Sequence, residues 1–423
     1  MTAAESAPDS RDTRLPSEIW VLVSASFVIA LGYGIVAPAL PQFAVSFGVG
    51  AFAATVVISS FAFMRLVFAP ASGSLVQRIG ERPTYLTGLL IVAASTGAVA
   101  FASSYWQLLI FRGIGGIGST MFTVSALGLL IRITPPHIRG RVSGLYATSF
   151  LFGSIGGPLV GAALVGFGLR VPFLIYAVAL LIAAAVVYFR LKDSALATPE
   201  TSSDAATMTF RQAVRLPVYR AALLSNFANG WAVFGVRVAL VPLFVVQALH
   251  ASDGYAGIAL TVFAVGNALV QIQAGRLSDA YGRRPFVLAG LVVSGLCTAG
   301  LGFSPNLWVL FALSAIAGVG SGLMNPAQQA AVADVIGSKA RGGPVLAAFQ
   351  MASDVGSVVG PLVAGVLAEQ LTYGTAFAVT GALTIPAIAA WLLAGRSAGH
   401  THPDHQADEV RRPDRDEPEQ QLS

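Results

Sequence analysis

The strongest constraint on this chain is a succession of apolar runs. Each has roughly 20 residues or more, enough to cross about 30 Å of hydrocarbon as a helix. Twelve such runs lie near residues 19–40, 51–76, 83–103, 106–131, 142–166, 171–189, 219–248, 254–278, 285–304, 306–333, 343–368 and 373–394. The apolar–polar alternation of a transmembrane barrel strand is absent, and Gly and Ala abound, as they do where helices pack closely in lipid. Composition agrees: 55% of residues are hydrophobic and 11% charged, with a mean hydropathy of +0.73. The expected fold is an all-α membrane protein.

The two halves of the chain repeat each other. The segment GSLVQRIGERP, Gly73 to Pro83, returns as GRLSDAYGRRP, Gly275 to Pro285, an offset of 202. Gly34 and Pro41 match Gly235 and Pro242, Gly116 and Gly118 match Gly318 and Gly320, and Gly153, Gly157 and Pro158 match Gly356, Gly360 and Pro361. A repeat of this length predicts two homologous six-helix bundles, 19–190 and 219–394, with a binding site between them.

Every Lys and Arg except Arg65, Arg112, Arg170 and Arg237 falls in the tails or in the loops after even-numbered runs. That asymmetry predicts that both termini are cytoplasmic. The net charge of +5 is thus accounted for by topology and headgroup attraction, not by a nucleic-acid surface. Residues 1–18, acidic and ahead of a full-length span, are read as a cytoplasmic tail, not a cleavable signal. The polar connector 191–218 ends in TFRQAVRLPVYR, which suits a short basic helix on the membrane surface. The tail 395–423 is polar and charged and reads as disordered; its His400, His402 and His405 fit a solvated segment better than a metal site. The single cysteine, Cys297, excludes internal disulfides, and no spacing suggests a metal or another cofactor.

Four motifs in order give the chain a family likeness. GRLSDAYGRRP supplies Gly275, Asp279, Gly282, Arg283 and Arg284; its first copy supplies Gly73, Gly80 and Arg82, with Gln77 at the acidic position. LLIFRGIGGIGS places Arg112 inside the fourth run, the fifth carries Gly144, Gly153, Gly157, Pro158 and Gly161, and the first reads LGYGIVAPALPQF. In these the whole chain resembles the major facilitator superfamily, specifically its twelve-span drug:proton antiporters. The resemblance implies two pseudo-symmetric bundles and a cavity lined by helices 1, 4, 7 and 10. It also implies a cytoplasmic lock made by the loop motifs, which in the first copy lacks a full charge at Gln77. It assigns Arg112 to proton coupling and helix 5 to the sliding contact between bundles; by their residues alone these read equally as a snorkelling arginine and plain glycine packing. The implied setting is a multi-pass protein of a bacterial cytoplasmic membrane, functional as a monomer.

A charge in hydrocarbon needs a partner, a wet cavity or a function. Asp354 is the one acid near the middle of a run, on a polar stripe with Gln350, Ser353 and Ser357. Arg65 lies within about 5 Å of it in depth if helices 2 and 11 meet. Asp354 either carries a coupling proton, with Arg65 as alternating partner, or holds a permanent salt bridge. Substrate contacts are expected from Ser119 and Thr123 beside Arg112, from Asn226, Asn229 and Arg237 on one arc of helix 7 with Gln247 beyond, and from Ser314, Ser321, Asn325 and Gln328 on helix 10. Tyr33, Trp231 and Phe234 would add apolar contact; the alternative for the two polar stripes is hydrogen bonding between helices. Two arginines without a carboxylate favour neutral or anionic amphiphiles over cations by several kcal/mol. Efflux by proton exchange is the expected function, with a uniporter or uptake carrier as alternative. A membrane enzyme or sensor fits less well, since no histidine lies mid-span, no ATP-binding GxxxxGK[ST] occurs and no soluble domain is present.

Overall fold

A computed structural model describes residues 17–134, 139–191, 208–336 and 343–398. Residues 1–16 and 399–423, with the histidine cluster, and connector residues 192–207 lie outside the described residues; residues 17–18 and 395–398, expected in the tails, are helical. Among the described residues, twelve helices are long and apolar enough to cross a membrane. They are α1 (Ser17–Val45), α2 (Ala51–Ile79), α3 (Glu81–Ala100), α4 (Tyr105–Leu130), α5 (Gly144–Val165), α6 (Val171–Arg190), α7 (Pro217–Ala248), α8 (Gly254–Tyr281), α9 (Arg283–Leu301), α10 (Leu307–Ile336), α11 (Pro344–Gln370) and α12 (Tyr373–Ala394). In lipid every backbone polar group must be paired within the segment, which helices alone achieve here. Ahead of α7 the expected surface helix is a single turn, Phe210–Ala213, closed by a Thr209–Gln212 capping box. Pro217 then starts α7, which proline favours in a first turn.

The helices form two bundles with matching internal contacts: α1 on α5 and α6, α2 on α4, α3 on α4 and α6, and correspondingly α7 on α11 and α12, α8 on α10, α9 on α10 and α12. The turns α2–α3 and α8–α9 both pivot on glycine. Gly80 at φ 89° and Gly282 at φ 90° adopt a conformation that L side chains disfavour, which explains why the repeat keeps glycine there. These turns share one face, called here the basic face for its arginines.

Between bundles, α2 meets α11, α5 meets α8, and α1 and α2 meet α7 near its Val238–Leu243 turn. The contacts lie away from the basic face. Ser59 donates to the Val358 carbonyl at 2.8 Å, and Gly254 and Gly257 of α8 abut Ala162 and Pro158 of α5. Nearer the basic face, a side-chain carbon built at Gly73 or Gly144 would meet nothing within 4 Å. The bundles are joined over one half of their depth and part toward the basic face.

The glycine row of α5 serves the interior of its own bundle. Gly153, Gly157 and Gly161 lie against the α1 backbone at Phe27, Leu31 and Ile35, while the inter-bundle contact on α5 comes from Pro158 and Ala162. Close backbone approach of this kind is how small residues bind helices in lipid. Gly157→Leu should therefore lower stability by about 1–3 kcal/mol through overpacking, seen as a lower thermal unfolding temperature in detergent. Gly144→Leu, facing open space, should stay within about 0.5 kcal/mol of wild type.

Candidate functional site

Where α2 and α11 begin to part, Arg65 and Asp354 face each other at 4.0 Å, each side chain partly exposed (29% and 21%). The distance is that of a loose ion pair, and neither side chain is fully enclosed by protein. Ser357 donates to the Asp354 carbonyl at 2.8 Å, and the Asp354 carboxylate is shared between Arg65 and a hydrogen bond from the Gln350 side chain. Ser353 is buried, its backbone against Gly230 of α7, and Gln350 is exposed.

Each bundle also holds one deep arginine over an aromatic ring. The Arg112 guanidinium of α4 sits 4.2 Å from the Phe61 centroid, and that of Arg237 in α7 sits 3.9 Å from the Phe263 centroid. Phe61 and Phe263 stand 202 apart and are repeat equivalents; the arginines are not. At the position matching Arg112 the second half has Ser314, fully buried and, among the described residues, with no partner for its hydroxyl. The two halves thus place a cation over the same phenylalanine from different helices. Both arginines are under 10% exposed, and among the described residues Nε of each, with Nη1 of Arg237, has no hydrogen-bond partner. The ring faces offset part of the cost of burial. Tyr33, half-buried, lies 6.3 Å from the Phe61 ring, centroid to centroid. Ser119 is buried, and Thr123 donates back to its carbonyl at 2.8 Å.

The α7 and α10 stripes come together as one hydrogen-bonded chain. Ser225 donates to Gln328 at 2.8 Å, and the Gln328 amide donates to Asn325 at 3.2 Å and Asn226 at 3.4 Å. Asn325 in turn donates to Ser321 at 3.2 Å, and Ser321 to Asn229 at 3.5 Å. Asn226 reaches the Phe349 carbonyl of α11 at 2.6 Å, and Trp391 of α12 closes the other end on Ser225 at 3.3 Å. Most of the stripe binds its helices together; Asn325, half-buried, is its open end.

Three side chains of α7 depart from a regular wheel, because π turns occupy Gly230–Arg237 and Phe244–Ala248 and break the 3.6-residue phase. Trp231 turns into its own bundle, with its indole N–H 3.4 Å from the Thr380 hydroxyl. Gln247 is exposed and accepts from the Tyr373 hydroxyl of α12 at 2.6 Å. Phe234 is exposed.

The loop motifs anchor within their own bundles. Arg82 donates to the Tyr188 carbonyl of α6 at 2.7 Å, and its counterpart Arg284 to the Trp391 and Leu392 carbonyls of α12 at 3.0 and 2.9 Å. Arg283 pairs with Asp279 and, at 3.2 Å, with Asp334 of α10. Asp279, expected in a lock, is thus held inside the C-terminal half and 65% exposed, in keeping with bundles parted at this face. Gln77 is exposed and Gly275 has only Pro326 nearby. Among the described residues no cluster of His, Cys, Asp and Glu suits a metal.

Residues 22–235 and 222–418 match the Major Facilitator Superfamily in turn, once per half. The chain belongs to that superfamily. As a member it is a multi-pass membrane transporter, not an enzyme. It is 23% identical over 358 residues to the quinolone resistance protein NorA of Staphylococcus aureus, covering 83% of this chain and 89% of that one. With the multidrug resistance protein MdtG of Salmonella paratyphi C it shares 25% over 379 residues, 86% and 92% of the two chains. With the human synaptic vesicular amine transporter it shares 25% over 335 residues, 78% of this chain but 64% of that protein's length. Among solved structures, a bacterial homologue of the human lysosomal transporter Spinster, inward-facing and unoccupied, superposes with a TM-score of 0.79 at 17% identity, over 90% of this chain and 98% of that one.

Sequence reasoning missed Phe61, Phe263, Ser225 and Trp391. The repeat offset, applied to aromatics as it was to glycines, pairs the first two; nothing in sequence marks the others. Gln328→Leu removes the hub of the chain and leaves buried amides unpaired. It should cost about 1–3 kcal/mol, read as a lower unfolding temperature, whereas Asn325→Ala at the open end should cost less.

Proposed function

We propose that this superfamily member exports small amphiphilic compounds, neutral or anionic, across a bacterial cytoplasmic membrane in exchange for protons, by alternating access and as a monomer. The observation that carries the reading is the position of Asp354. The one acid near the middle of a span stands where α2 and α11 cease to touch, opposite Arg65. A carboxylate there is reached by water through the gap while its partner belongs to the other bundle, so its protonation and the bundle contact bear on each other. The excess of Lys and Arg on the basic face assigns that face to the cytoplasm, and the gap then opens inward.

Substrate class follows from the deep charges. Arg112 and Arg237 lack carboxylate partners among the described residues, and their field disfavours a lipophilic cation and favours an anionic group. The drug-resistance names of two relatives support efflux of drug-like compounds. The vesicular amine transporter's name supports amines instead, which the test below includes.

In inside-out vesicles carrying the purified protein, substrate addition should drive proton movement, and Asp354→Asn should abolish it while leaving substrate binding measurable. Substrate flux without proton movement in wild type makes the protein a uniporter and Arg65–Asp354 a structural pair. Arg237→Met should be neutral or stabilising, since it replaces an unpaired buried cation by an apolar side chain. It should nonetheless cut transport of anionic amphiphiles by about tenfold and spare neutral ones. Amines transported better than either class would overturn the charge assignment.

A further inference from the structure

At the face opposite the basic one, the two bundles are joined by a carboxylate on a helix end. Phe52 N–H, in the first turn of α2, donates to Glu369 Oε2 near the end of α11 at 2.8 Å. The residue before the helix, Gly50, is extended and offers no side-chain cap. A side-chain carbon built on it would sit 2.7 Å from both Glu369 carboxylate oxygens. The first N–H groups of a helix lack intrahelical partners and carry partial positive charge, which a carboxylate satisfies. Here the capping group comes from 317 residues away, in the other bundle. Tyr373, the neighbouring titratable group, gives its hydroxyl to Gln247 and leaves the Glu369 carboxylate to α2.

The repeat supplies no second copy. At the α5–α11 offset of 203, Glu369 corresponds to Gly166, and Asp253 at the start of α8 makes no side-chain cap. The contact is therefore single and one-sided, and it lies at the end of the α2–α11 seam where the bundles would have to separate for the opposite face to open.

We infer that Glu369 is a latch that holds the face opposite the basic one closed. Its carboxylate, seated on the N-terminus of α2, stabilises the basic-face-open state and must release for the cavity to open the other way. The inference rests on alternating access as proposed above. Glu369 acts by positioning the bundles and takes no part in binding substrate.

The test is a pair of spin-label distances on a Cys297→Ser background. Labels at Phe101 and Leu371 report the latch face; labels at Phe189 and Tyr281 report the basic face. All four positions are well exposed. Three variants disturb the latch by different routes. Glu369→Gln removes the charge, Gly50→Ala crowds the carboxylate, and Phe52→Pro removes the N–H donor at a position where a helix tolerates proline. Each should raise the population open at the latch face by roughly three- to tenfold, with the basic-face pair closing in step. Glu369→Asp should recover part of the wild-type ratio. If wild type interconverts between the two openings on adding substrate or changing pH, yet no variant shifts the ratio, the latch is refuted. A lower unfolding temperature with an unshifted ratio likewise refutes it, making Glu369 a helix cap only. If wild type never opens at the latch face under any condition, alternating access itself fails and the latch with it.

Discussion

Because hydrocarbon offers no hydrogen-bond partner, each backbone polar group that this chain carries into the membrane must find one within the protein. That requirement fixes the helices, and it also shapes everything attached to them. Amides of α7 and α10 bond one another from Ser225 to Asn229, Thr123 returns its hydroxyl to its own helix, and the two deep guanidinium groups lie over Phe61 and Phe263. With little hydrophobic drive left between helices in lipid, adhesion falls to close packing, and the glycine row of α5 lets α1 approach to backbone contact.

The two bundles share an architecture and differ in chemistry. A guanidinium over the same repeat phenylalanine comes from α4 in one half and from α7 in the other, and among the described residues the second half alone strings amides across its helices. Among the described residues the polar seam between the bundles runs along α2 and α11: Glu369 on the α2 N-terminus, Ser59 on the Val358 carbonyl, and Arg65 against Asp354 where the helices part. At the α5–α8 seam Gly254 and Gly257 lie against Ala162 and Pro158.

Much of the fold was legible because hydropathy and repetition are local or periodic properties. The run near 373–394 coincides with α12, and most other ends fall within three residues of the helices. The first run was too short, since the helix resumes at Ala39 after Pro38 and continues to Val45. The Arg65–Asp354 pairing was legible from depth counting together with the family resemblance, which brings helices 2 and 11 side by side. Trp231 and Gln247 were not, because π turns in α7 break the periodicity on which a wheel depends. Nor was the destination of the α5 glycines: a row of small residues says that a backbone approaches, and nothing about whose.

By itself, the sequence determined the number of spans, the twofold repeat, the side on which positive charge collects and the depth of each charged residue, since all of these follow from one-dimensional counting against a layer of fixed thickness. Only the tertiary structure decided which polar groups satisfy one another, which face is open, and that Glu369 rests on a helix end 317 residues away. Those outcomes depend on the lateral placement and rotation of helices, and neither is encoded in any single helix.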